Sequence, residues 1–163
     1  MTSANATAVE NDVRGLVAAI SRNADDGTLA HFLEPHRWSV LAGYVKPSSL
    51  ERGHLLIAQG DRDRKIFFLE SGDLKVDMKT NAGLVHLAIL GPGTVVGEGS
   101  FFSHATRNAS VAVYSDCKLW ELDPASFNEL SRDHPSVALA LTLALGAVLS
   151  ARMSDLTKRL AIT

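Results

Sequence analysis

Between Gly91 and Val113 the chain reads GPGTVVGEGSFFSHATRNASVAV, with one carboxylate, Glu98, and one guanidinium, Arg107, nine positions further on. Gly91, Gly93, Gly97 and Gly99 crowd its first half. Glycines so dense let backbone N–H groups turn toward a ligand with no Cβ in the way. Phe101 and Phe102 fit a short helical turn, after which Arg107 faces in. Turned-out amides and a guanidinium make an anion cradle. Arginine suits a phosphate because its planar fork donates two parallel hydrogen bonds. A carboxylate would repel a phosphate, so Glu98 is expected to accept from hydroxyls instead, such as those of a ribose.

Other chemistry lacks its constellation. The histidines are His31, His36, His54, His86, His104 and His134. No two sit at i, i+4 on a helix or i, i+2 on a strand, so no metal centre is expected. No Gly-x-Ser-x-Gly elbow and no convincing Cys–His pair is present, and the chain reads as a binding module rather than an enzyme. A net charge of −2 and a pI near 6.3 give no basic face for nucleic acid. The single cysteine, Cys117, excludes an internal disulfide framework and suits a reducing, cytoplasmic compartment. It lies on the alternating stretch CKLWEL and is expected to be a small core residue. The N-terminus, MTSANATAVEND, has neither a basic nor an apolar signal region.

The elements that must position the cradle follow from periodicity. Val9, Val13, Leu16, Val17 and Ile20 keep a helical period from Thr7. Phe32, Leu33, Trp38, Leu41 and Ala42 predict further short helix up to a break at Lys46-Pro47. From Leu50 the period becomes two, and short strands are expected at 54–58, 65–70, 73–79, 84–90, 95–97, 109–114 and 117–122. Turn signals separate them, including Ser71-Gly72 and Ser115-Asp116. Such spacing argues a sandwich or a small β-roll. Asp123-Pro124 opens a helix, cap then proline. His134-Pro135 stops it and starts a last helix running to about Ile162. Val137 to Ala151 is almost wholly apolar but short for a membrane span, and Arg152 closes it. From Leu149 the pattern narrows to one seam, Leu149, Met153, Leu156 and Leu160, best buried against the same helix of a second copy.

The cradle, taken with the turns before it, resembles a known family. Gly97-Glu98-Gly99-Ser100-Phe101-Phe102 followed by Arg107-Asn108-Ala109-Ser110 is similar to the phosphate-binding cassette of cyclic nucleotide-binding domains. That pattern is roughly G-E-[LM]-A-L-[LI] and then, after a gap, P-R-[AST]-A. Gly53, Gln59-Gly60-Asp61 and Gly72 in FFLESGDLKV match the family's turn glycines in order, and the resemblance spans residues 29–160. Gly99, Thr106 and Asn108 depart from the pattern.

The resemblance implies an α+β fold: an antiparallel, jelly-roll-like β-roll with N-terminal helices and a long C-terminal helix. It places a tail and helix at 1–28 and the domain at 29–163. Within the domain it implies a helical arm at 29–46, the roll at 50–122 and C-terminal helices at 123–162. The implied ligand is cyclic AMP or cyclic GMP, with no resident cofactor. The amides of Gly97, Ser100 and Asn108, beside Gly99, would hold the cyclic phosphate with Arg107. Glu98 would take the ribose, and Val76, Leu87 and Ala88 would line the pocket. Arg152 and Met153 reach the position that lids the base, where Arg152 either covers the purine or lies in solvent. The implied partners are a second copy, through the last helix, and an effector protein of unknown identity; a membrane is not among them. The chain ends at Thr163 without the helix-turn-helix of the family's transcription factors. It is therefore expected to be a free-standing sensor or a piece of something longer. Two alternatives stand beside this: a dimerising module that has lost its ligand, and an unrelated β-roll enzyme.

Overall fold

Ile66-Phe67-Phe68-Leu69 contains no polar residue, so a strand there must be covered on both faces. In the computed structural model, which describes residues 11–23 and 27–162, it is. Strand β3 (Ile66–Thr80) sends Ile66 and Phe68 into one apolar cluster, and Phe67 and Leu69 into another. Strand β6 (Ser110–Leu122) repeats the device, with Trp120 and Leu122 on one side and Cys117 and Leu119 on the other. The first cluster lies under the helices; the second fills the roll. Burial pushes the Cys117 thiol up from its ordinary value, helped by the charge of Asp116.

β3 and β6 pair antiparallel along most of their length and form the spine of a six-stranded sheet. β1 (Lys46–Leu50) and β2 (Leu55–Ile57) flank β6, while β4 (Gly83–Leu90) and β5 (Val95–Val96) flank β3. With helices before and after it, this is the expected α+β antiparallel β-roll.

The pairs of strands expected at 65–70 and 73–79, and at 109–114 and 117–122, are each one bent strand. The two turn signals face each other across the spine, where Ser71 pairs with Lys118 and Asp73 with Ser115. The register slips there repeatedly. Gly72 makes the bend possible: its φ is +84°, and a Cβ would lie 2.4 Å from the Asp116 carbonyl oxygen. Two bulged strands bending together curl the sheet without ending it. β1 was not expected, because Pro47-Ser48-Ser49 has no alternation. It is an edge strand, where a proline is tolerated.

Helix α1 (Arg14–Arg22) buries Leu16 and Ile20; Thr7 and Val9 lie outside the described residues. Helices α2 (Gly27–Phe32) and α3 (Pro35–Leu41) follow, and Trp38 of α3 meets the Phe68 ring edge-on at 5.3 Å. The cassette helix α4 (Glu98–Ser103) comes after β5. Helix α5 (Pro124–Asp133) starts as expected: Asp123 accepts the Ser126 N–H at 2.8 Å with Pro124 in the first turn. That backbone bond holds the Asp123 carboxyl below its usual value.

Helix α6 (Pro135–Ile162) is long and apolar enough over Pro135–Leu156 to cross a membrane. Its Leu141, Ala144, Leu145 and Val148 instead join Leu29, Leu33 and Trp38 in the helical cluster. The opposite face is bare: Leu139, Leu143 and Met153 are all more than half exposed. The expected seam therefore runs further toward the N-terminus than Leu149. Met153 and Leu156 are exposed and Leu149 is half-buried, while the Leu160 side chain lies outside the described residues.

Candidate functional site

α4 begins where β5 leaves the sheet. Its N-cap, Gly97, has φ +94°, a conformation that favours glycine. The first-turn amides of Glu98, Gly99 and Ser100 have no α4 carbonyl to donate to, which leaves them open to an anion. Glu98 and Ser100 are buried, and Asn108 is exposed beyond the helix. Gly99 borders open space: a Cβ there would have nothing within 4 Å. Phe101 turns inward onto Phe127 of α5, ring edge to ring face at 4.9 Å, while Phe102 points outward. His104 closes the helix in the left-handed region at φ 59°, its N–H donating to the Ser100 carbonyl.

Arg107 returns to the N-terminal end of α4 and is almost fully buried. Nη1 donates to the Gly97 carbonyl at 3.0 Å, and Nη2 to the Lys65 carbonyl at 2.7 Å. Nη2 and Nε also grip the Asp63 carboxylate, at 2.7 and 3.2 Å. The backbone is pinned on both sides: Arg107 N–H donates to Asp61 O, and Gly60 N–H to Arg107 O. The turn Gln59-Gly60-Asp61 and the arginine are thus one unit.

Glu98 meets the last helix. Its Oε1 accepts from Arg152 Nη1 at 2.6 Å, while Arg152 Nη2 donates to Thr94 Oγ1 and to the Val95 carbonyl. Arg152 therefore does not lie in solvent; it ties α6 to the start of the cassette. Glu98 Oε2 takes no hydrogen bond among the described residues, which leaves one oxygen of a buried carboxylate to accept from a hydroxyl.

The residues expected to line the pocket stand on the neighbouring strands. β6 starts at Ser110, just downstream of Arg107, and pairs at once with β3: Ser110 with Asp77, Val111 with Val76. Val76 lies between Val111 and Ala88 of β4. A register slip puts Leu87 out of the ladder, and both Leu87 and Ala88 are exposed. The sequence reading missed Asp63, Thr94 and the Lys65 carbonyl. Asp61-Arg62-Asp63-Arg64-Lys65 looks like any solvated turn, and no local signal links it to an arginine far along the chain. No group of His, Cys, Asp and Glu fit for a metal ion occurs among the described residues.

Comparison with known proteins agrees with this geometry. The family model described as "Cyclic nucleotide-binding domain" matches residues 47–134, more than half of the chain. Glutaminase 2 of Bradyrhizobium diazoefficiens is 34% identical over 116 residues, which are 69% of this chain and 18% of that protein. The cyclic AMP receptor protein of Thermus thermophilus is 30% identical over 112 residues, 68% of this chain and 51% of that one. The chain thus spans only about a fifth to a half of these relatives. A solved cyclic nucleotide-binding domain from Methylobacillus flagellatus has the same fold, with a TM-score of 0.76 at 20% identity over 86% of each chain. With the cassette, the roll from Pro47 onward and helix α5 inside the matched residues, the chain belongs to the cyclic nucleotide-binding domain family.

Proposed function

We propose that the chain is a sensor of 3′,5′-cyclic AMP or cyclic GMP that signals through α6. The observation that carries this reading is Glu98: a buried carboxylate at the head of the cassette, with one oxygen held by the signalling helix and the other open. The phosphate would lie on the first-turn amides of α4 beside Arg107, and the 2′-hydroxyl would donate to Glu98. The base would rest on Val76, Leu87 and Ala88. The name of the Thermus relative favours cyclic AMP. A lone buried thiol fits a cytoplasmic location.

Calorimetric titration with both nucleotides tests the reading. Parent protein should bind one of them and bind its 2′-deoxy form distinctly worse, while Glu98→Gln should lose much of that preference. Equal binding of ribo and deoxy forms would remove the role given to Glu98.

The output is a dimer formed through the bare face of α6. Leu139, Leu143 and Met153 are exposed in a line, and Gly146 stands between them. A Cβ at Gly146 would meet nothing within 4 Å, so no packing inside this chain requires glycine there. A mid-helix glycine costs about 1 kcal/mol against alanine. A second copy of the helix crossing closely at that point accounts for it. Sedimentation should show a dimer for the parent and a monomer for Leu143→Glu; a monomeric parent at high micromolar concentration sinks the proposal. The reading of a ligand-free dimerising module is favoured by one fact, that Arg107 and Glu98 both already hold internal partners. Absence of binding heat with either nucleotide would select it.

A further inference from the structure

Four of the five N–H groups on the Arg107 guanidinium are already engaged. The partners differ in kind. Gly97 O and Lys65 O are backbone atoms, fixed by the cassette turn and by the entry to β3. Asp63 alone binds through a rotatable side chain, and it does so across Nε and Nη2, the paired donors that a phosphate would also choose. Its side chain is 40% exposed against 3% for that of Arg107.

We propose that Asp63 is a built-in competitor of the ligand's phosphate, covering the fork of Arg107 until the ligand displaces it. The inference rests on the reading of the cassette as a cyclic-phosphate site. Displacement requires only rotation of the Asp63 side chain toward solvent, because the turn's backbone is pinned at Gly60 and Asp61 by Arg107 itself. Burial acts to raise the Asp63 carboxyl, but hydrogen bonds from Arg107 and from the Lys65 N–H, with the arginine's charge, outweigh it and hold the group below its ordinary value. The competitor is thus an ionised carboxylate at neutral pH. Measured affinity is then the intrinsic affinity scaled down by the fraction of molecules with Arg107 uncovered. Asp63 sets the concentration at which the sensor responds, without touching the ligand.

The test compares the parent with Asp63→Asn by calorimetry with cyclic AMP and cyclic GMP, and by melting curves without ligand. Asparagine keeps an oxygen for Nη2 and for the Lys65 N–H, so the turn is retained, but it carries no charge. The variant is expected to bind about tenfold more tightly or better, while its ligand-free melting temperature falls. A parent that fails to bind beside a variant that binds supports the proposal equally. Unchanged or weaker binding by the variant overturns it and leaves the nucleotide reading standing, with Asp63 then only orienting Arg107. No binding by either protein at millimolar nucleotide overturns both. A second readout needs no variant: the carboxyl carbon resonance of Asp63 in the parent should shift on saturation with nucleotide, and a resonance that stays put refutes displacement.

Discussion

Replacing Arg107 by alanine is expected to weaken cyclic-nucleotide binding at least about a hundredfold and to lower the stability of the ligand-free fold by about 3 kcal/mol. The two losses share a cause. The side chain holds the Gly97 carbonyl, the Lys65 carbonyl and the Asp63 carboxylate at once. Removing it takes one donor from the Gly97 carbonyl, which keeps only the Phe101 N–H among the described residues, and one from the Lys65 carbonyl at the entry to β3, and it takes away the cation that would face the phosphate. Lysine should rescue little, since a point charge on a flexible stem cannot reproduce a fork spanning three acceptors. Urea unfolding with parallel calorimetry would measure both effects. An alanine variant that keeps parental affinity would show that the phosphate, if bound at all, is bound elsewhere.

Gly97→Ala should be nearly as damaging, although it changes no charge. The residue sits at φ +94°, where an L side chain is strained. The added Cβ would lie 2.4 Å from the Lys65 carbonyl oxygen and 2.9 Å from Arg107 Nη1. Backbone on one side and a buried guanidinium on the other leave it no room to yield. A loss of about 2–4 kcal/mol is expected, with nucleotide binding lost alongside it. Gly99→Ala is the control. Two positions on, a Cβ meets nothing within 4 Å, and alanine is the better helix former. Melting temperatures of the two variants should therefore separate widely. Equal melting temperatures would mean that the turn relaxes and that Gly97 is not the constraint described.

What was legible in the sequence is what depends on local pattern. The period of two marked the roll, Asp123-Pro124 marked α5, and the glycine spacing around Glu98 marked the cassette. Each of these signals lies within a few residues of the feature it reports. What was not legible depends on contacts between distant segments. Ser71-Gly72 and Ser115-Asp116 read as turns because each resembles one in isolation; only their mutual pairing makes them a single bend. Asp63 carries no mark of its attachment to Arg107, nor Arg152 of its attachment to Glu98. The bare stripe on α6 escaped for a related reason. Its first half is apolar all round, and sequence alone does not say which side the helical cluster covers.

The attachment of Arg152 to the cassette has a consequence for the chain's surroundings. One guanidinium on α6 bonds Glu98, Thr94 and the Val95 carbonyl, so the helix cannot shift without stripping the carboxylate of its partner. Any molecule that prefers one placement of α6 then enters the same thermodynamic cycle as any molecule that binds Glu98. The factor by which nucleotide changes the grip on the helix must equal the factor by which a grip on the helix changes nucleotide affinity. Couplings of this kind are commonly about 1–3 kcal/mol, or roughly 5- to 150-fold. If the chain is the sensor proposed above, a protein clasping Leu139 and Leu143 would in that way retune its nucleotide affinity from outside, and two cells holding the same chain with different clasping proteins would respond at different nucleotide concentrations.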